Sequence, residues 1–266
     1  MTTDVTTRRA AGEASPRSIG RIALIRRQSL FEFRLIMRNG EQFLLTLLIP
    51  VILLVGLTQA SAISLGDTVA GTTERAGLVV PGVLALAVMS TAFTAQAIAT
   101  GFDRRSGALK FIGATPLQRS GLVWSKTLTT LLMLIVQFGI LIGVALVLGW
   151  DPVGPLWSAG LLVAVGAAAF STLGLALAGT LRAEATLAAA NGIYLLLLLG
   201  GGIVVPLADM PAPMATVAAA LPSGALGEGL REILTDGVVL PWGRLLVLLA
   251  WAVVGSFIAV RSFKWE

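Results

Sequence analysis

The stretch Phe102–Lys126, FDRRSGALKFIGATPLQRSGLVWSK, gathers Arg104, Arg105, Lys110, Arg119 and Lys126 around one carboxylate, Asp103. On either side the chain is uncharged, from Ala76 to Phe102 and from Thr127 to Trp150. Five cations of this kind hold no catalytic set, but they can hold a partner. Asp103 is placed to cap a helix starting at Arg104 or Arg105, where a carboxylate suits the helix dipole. Ala108, Leu109, Phe111 and Ile112 give that helix an apolar side, and Arg104, Arg105 and Lys110 give it a basic side. Gly113 ends it, and Pro116 keeps Thr115 out of the α region. The product is a short amphipathic helix on stiff joints. Apolar side chains on so short an exposed helix point to a protein partner rather than a solvated turn.

Other chemistry is sparse. The chain has no cysteine and no histidine. Disulfides and thiolate sites are excluded, as are catalytic Ser-His-Asp and Cys-His sets, and the commonest metal ligand is missing. No catalytic residue and no metal-ligand set is assigned. The polar residues inside apolar segments are Gln96, Gln137, Asn191 and Tyr194. Such groups are costly in a bilayer and mark a possible substrate path. Hydrogen bonding between helices is the plainer explanation for each.

These residues must be positioned by membrane-spanning helices. Of 266 residues, 56% are hydrophobic and 12% charged, against about 25% charged in a soluble domain. Mean hydropathy is +0.90. Segments of roughly 20 apolar residues suffice to cross a bilayer, and the sequence offers six: about 43–65, 77–101, 122–150, 156–181, 185–206 and 242–260. The expected class is an all-α integral membrane protein, with residues 42–266 as its six-span domain. Residues 1–18 read as a polar, disordered tail without the apolar run of a cleaved signal peptide. Residues 19–41 read as a basic amphipathic helix for the inner membrane surface, with Arg26, Arg27, Arg34 and Arg38 on its polar side. Asn39-Gly40 is placed to end it.

The connection 207–241 is broken by Pro211, Pro213 and Pro222. Ser223 is placed as the N-cap of a helix over 224–234 that carries Glu228, Arg231 and Glu232. It predicts two short helices lying on or dipping into the outer face, with Glu228 and Arg231 solvated or paired in an outer lid. In span 4, Gly166, Gly174 and Gly179 suit a close helix seam. Even spans put both termini on one side. Of 19 Lys and Arg residues, only Arg75, Arg231 and Arg244 fall on the other, so termini and basic stretch are assigned to the cytoplasm. The membrane is expected to be the plasma membrane. Nucleic acid is not an expected partner; membrane lipids are.

The run Asp103-Arg-Arg-Ser-Gly107-Ala-Leu109, followed by Ala114-Thr115-Pro116-Leu117, resembles the D-R-E-R-G-T-L…A-T-P-L run of ABC-2 type exporter permeases. In that family it also joins the second and third of six spans, and a Gly-Lys pair often follows where this chain has Ser125-Lys126. Arg105 and Ser106 stand where the family often has Glu and Arg. The resemblance extends to an amphipathic N-terminal helix, six spans and a broken outer connection before the last. It implies a permease subunit for a drug, antibiotic, natural product or lipid exporter, working as a dimer with a second copy or a sibling permease. It also implies a separate cytosolic ATP-binding subunit that carries ATP and Mg. The helix over 104–112 would be the coupling helix, 19–41 the connecting helix, and 207–234 the outer re-entrant lid. Asp103, Arg104, Arg105, Gly107, Leu109, Lys110, Phe111, Thr115 and Pro116 would form the ATPase-coupling loop.

The chain has no Gly-x-x-x-x-Gly-Lys-Ser/Thr phosphate loop, so any ATP motor is another polypeptide and the chain is not itself an enzyme. With no acid or base near the middle of a span, a lipophilic or amphiphilic cargo is expected. The residues alone leave one alternative open: an ion-coupled carrier or channel built on broken helices near Pro50, Pro81 and Gly200–Gly202.

Overall fold

The computed structural model describes residues 20–59, 72–113 and 118–262. Among them the chain is helical, with no strand. The order is α1 (Arg21–Arg38), α2 (Gly40–Gln59), α3 (Thr72–Val88), a π-helical turn (Met89–Ala95), α4 (Gln96–Arg105), α5 (Ala108–Gly113), α6 (Arg119–Val147), α7 (Leu156–Thr180), α8 (Ala183–Gly200), a 3-10 turn (Leu207–Asp209), α9 (Ala212–Ala220), α10 (Pro222–Leu234) and α11 (Trp242–Ser262). The tail to residue 18, the end of the first expected span past Gln59, and Thr115 with Pro116 lie outside the described residues.

Five helical stretches are long and apolar enough to cross a membrane: Arg75–Arg105, Arg119–Val147, Leu156–Thr180, Ala183–Gly200 and Trp242–Arg261. The apolar part of α2 is shorter, Thr46–Gln59. Arg75–Arg105 and α7 are the most buried of these, while α6, α8 and α11 lie at the periphery. Large apolar side chains cover the outside: Leu44 and Ile49 on α2, Leu196 and Leu199 on α8, Leu246 and Val253 on α11. Exposed apolar surface of that extent suits hydrocarbon, where the backbone must satisfy itself within helices.

α7 is the hub. It packs on α11, α10, α4, α6 and the π turn. Gly174 makes the last contact possible, because a Cβ there would meet the Phe93 carbonyl at 2.8 Å. Phe93 and Phe170 then meet edge to face with centroids 6.4 Å apart. The seam anticipated from the span 4 glycines is therefore a seam within this chain.

Three boundaries differ from the sequence reading. Arg104 and Arg105 do not start the short helix; they form the last turn of α4. The sequence offers no breaker before Gly107, and Gly107, at φ +78°, ends α4 in the left-handed conformation that glycine adopts without strain. The short helix begins at Ala108. Second, the fifth span stops at Gly200 rather than Pro206, where the glycine run opens the chain into bends. Third, Pro222 takes the first turn of α10 and Leu221 is its N-cap. The Ser223 hydroxyl caps nothing and is buried without a hydrogen-bond partner.

α10 lies deeper than a surface helix would. Ser223, Leu226, Leu230, Ile233 and Leu234 are all buried, packed among α3, α7 and α11. Its apolar face is the reason, because Leu226, Leu230 and Ile233 recur at helical spacing.

Candidate functional site

The site grows from a polar stripe on one face of α6. Ser125 and Thr129, and Lys126 and Thr130, recur every four residues, so they align along the helix. The hydroxyls of Thr129 and Thr130 bond back to the carbonyls of Ser125 and Lys126 at 2.9 and 3.1 Å. α1 sits on this stripe. The Ser29 hydroxyl donates to the Ser125 carbonyl at 2.9 Å, Thr129 donates to the Ser29 carbonyl at 3.3 Å, and Arg21 bonds Ser120. Of the stripe Ile19, Ile22, Ile25, Ser29, Phe33 and Ile36 expected to meet the membrane, Ile19 lies outside the described residues and Ile22 is exposed, while Ile25, Ser29, Phe33 and Ile36 turn toward the protein. Ser29 is buried and the other three are half-buried. Amphipathic spacing identifies a buried face without saying what buries it. Arg26, Arg27, Arg34 and Arg38 are exposed as expected, with Phe31 and Leu35 exposed among them.

Lys126 is the buried cation of the site. Its Nζ donates to Asp103 Oδ2 at 3.0 Å and lies 3.5 Å from Glu32 Oε2. Glu32 also accepts a 2.9 Å hydrogen bond from Gln28. One ammonium therefore ties α1, the end of α4 and the start of α6. A charge so deep must be paired, since burying it alone would cost several kcal/mol. The neighbouring arginines brace the other side of the same turn. Arg104 donates to the Leu181 carbonyl and Arg105 pairs with Glu184, fixing the turn between α7 and α8.

Among the expected coupling residues, Leu109 is the clearest departure. It is fully buried, packed on Leu122 with Leu24 and Ile25 at its edge, so it seats α5 on α1 and α6 instead of facing outward. Lys110 is exposed. Phe111 lies on α5, but its side chain is not among the described features, and Thr115 and Pro116 are outside the described residues.

The four path residues do not converge. Gln96 is buried, donating to Ser171 at 2.6 Å and accepting from Thr130, while Ser171 also meets Thr127 at 2.9 Å. This network joins α4, α6 and α7. Gln137 accepts from Thr91 and donates to the Thr46 carbonyl, both at 3.0 Å. Asn191 is exposed and donates to Leu187 of its own helix, and Tyr194 packs at the edge of the main core. In the lid, Arg231 donates to Glu228 at 3.1 Å and to the carbonyls of Gly202 and Ile203. It thus closes the bends after α8. Burial lowers the Arg231 guanidinium from its ordinary value, and Glu228 draws it back up. Glu232 pairs with Arg244 at 3.0 Å.

Sequence reasoning missed Glu32 and the α6 hydroxyls, and placed Ser29 only on the apolar side of its helix. The four-residue recurrence of Ser125–Thr129 and Lys126–Thr130 inside an apolar helix was the available signal. Two cavities flank this machinery. One, of about 90 Å³, lies between α1, α2, α4 and α6 and is lined by Glu32, Thr100, Lys126 and Thr130. The other, of about 420 Å³, is an apolar groove walled by Phe93, Phe170, Leu197, Leu221 and Trp251. The Trp251 indole donates to the Ala220 carbonyl at 2.9 Å, tying α9 to α11 beside it.

Known proteins place this bundle. The chain is 24% identical over 230 residues to "Putative transport permease YvfS" of Bacillus subtilis (strain 168), covering 86% of this chain and 92% of that protein. Residues 71–261 match the family described as ABC-2 family transporter protein. That match takes in the long buried helix, the basic turn, the α7 hub and the outer helices, well over half of the chain, and the protein therefore belongs to the ABC-2 transporter family as a membrane-embedded transport permease.

Proposed function

We propose that this chain is the permease subunit of an ATP-driven exporter that moves a lipophilic or amphiphilic substrate out of the cell. The motor is a separate cytosolic ATP-binding subunit carrying ATP and Mg. It acts on the loop 103–116. The complex holds two permeases, either two copies or this chain with a sibling, in the plasma membrane. Each has six spans, with both termini cytoplasmic.

The observation that carries this reading is the bracing around α5. Leu109 locks α5 onto α1 and α6. Lys126 locks Asp103 to α1 and α6, and Arg104 and Arg105 lock the same turn to residues 181–184. A push on α5 is therefore passed to several spans at once. A flexible solvated turn would absorb it. The apolar groove beside Phe93, Phe170 and Trp251 suits a lipophilic cargo.

The contact surface in this reading is the exposed side of the turn, Lys110 and Arg119, while Leu109 acts from beneath. The test is co-purification of a stoichiometric ATPase from native membranes, with ATP hydrolysis measured on the complex. Lys110→Glu combined with Arg119→Glu should remove the ATPase while membrane insertion and thermal stability stay unchanged. Full ATPase association by that variant overturns the assigned surface. A chain that purifies alone and without hydrolysis in several mild detergents overturns the exporter reading in favour of an ion-coupled carrier.

A further inference from the structure

We infer that the cavity between α1, α2, α4 and α6 is a binding site for an amine-headed amphiphile, with Glu32 as its counter-charge. The inference deepens the export reading and rests on it for the role of the ligand as cargo.

Charge is the first argument. Glu32 and Asp103 share a single ammonium, Lys126, at 3.5 and 3.0 Å. Of the nearby cations, Arg105 is neutralised by Glu184, while Arg104 donates to the uncharged Leu181 carbonyl, keeps its charge and lies outside the cavity wall. Taken by themselves these three groups carry one negative charge in excess, and Glu32, the member lining the cavity with Lys126, has a side chain only 15% exposed. A partly buried excess charge at the edge of a membrane calls for a counter-ion.

The second argument is independent of charge. Thr100 lines the same cavity, is 1% exposed, and its hydroxyl has no hydrogen-bond partner. A buried hydroxyl left unpaired is costly. The other polar groups at the wall are already committed: Gln96 to Ser171 and Thr130, and Thr129 and Thr130 to backbone carbonyls. Thr100 is thus the wall hydroxyl with no partner, its lone pairs open to a donor, and Glu32 is the anion. A primary ammonium carries three N–H donors and one positive charge, and it matches both.

Shape agrees. The space is about 90 Å³, enough for an ammonium head and a few methylenes and smaller than the ~150 Å³ engineered cavity that binds benzene. Ile36, Ala95, Ala99 and Met133 supply an apolar wall, and the thioether of Met133 adapts to irregular chains. An anionic head is disfavoured, because Lys126 already faces two carboxylates. Water alone would satisfy Thr100 but leave the excess charge.

The test uses the purified full-length permease in neutral detergent, without any ATPase. Binding of n-hexylammonium, n-hexanol and hexanoate is measured by calorimetry. Hexylammonium should bind saturably and at least about tenfold tighter than hexanol. Glu32→Gln should erase that preference, and Thr100→Val should weaken hexylammonium about threefold. Equal binding of amine and alcohol, tighter binding of hexanoate, or an amine preference untouched by both substitutions overturns the site. Should Glu32→Gln fail to fold, the ligand series on the native chain and Thr100→Val still decide. Because no ATPase is present, failure here leaves the coupling reading intact, and failure of ATPase association leaves this result intact.

Discussion

Lys126 donates a 3.0 Å hydrogen bond to Asp103, its buried ammonium closing the basic turn onto the helix that enters it. The pair spans the whole connection between the two long helices. Glu32 approaches the same nitrogen from α1. The geometry converts a charged loop into a fixed joint, and it sets the order of sensitivity among its members.

Lys126→Met should be more damaging than Asp103→Asn. It removes the shared cation and leaves two carboxylates near one another, for a loss of about 3 kcal/mol or more. Asp103→Asn should cost less, because the Asp103 side chain is 42% exposed and Lys126 retains Glu32. Thermal unfolding followed by fluorescence of the six tryptophans checks the order. Equal stability of Lys126→Met and the native chain would show that the trio is not a structural joint.

Leu109→Ala should destabilise the seat of α5 by roughly 2–4 kcal/mol, as for other large-to-small changes at fully buried sites. The loss should be local. Hydrogen exchange over 108–113 should accelerate, while α7 and α10 remain protected. A variant with unchanged exchange there would mean that α5 is held by something other than Leu109 and its contact with Leu122. A charge at Leu109 would read out misfolding of the turn rather than a lost partner contact.

Gly224→Ala should abolish stable folding of the outer helices. The added Cβ would sit 2.0 Å from the Ala218 carbonyl, a backbone atom that cannot step aside. Overpacking of this kind costs about 1–3 kcal/mol or more. Gly143→Ala is the matched control, since nothing lies within 4 Å of a Cβ there. Comparable melting temperatures for the two variants would contradict the close α9–α10 packing.

Much of this protein is legible in its sequence because hydrocarbon is an undemanding but strict solvent. Runs of apolar residues specify helices and their approximate ends, and Asn39-Gly40 separates α1 from α2. The motif at 103–109 with the Lys/Arg distribution was enough to suggest the family. Composition alone removed histidine and cysteine chemistry.

Tertiary structure decided everything that depends on pairing across distance. Asp103 looked like a helix cap because local rules see only its neighbours. In the fold its carboxylate is held by Lys126, 23 positions away. Leu109 looked like a partner-facing residue because amphipathic spacing reports that a face is buried without naming the burying surface, and here that surface is Leu122 of its own chain. Gln96 and Gln137 looked alike, yet each entered a different interhelical network, and Asn191 entered none. Glu32 and Thr100 line one cavity only because α1 folds back onto α6, bringing Glu32 to an ammonium that the sequence places far away.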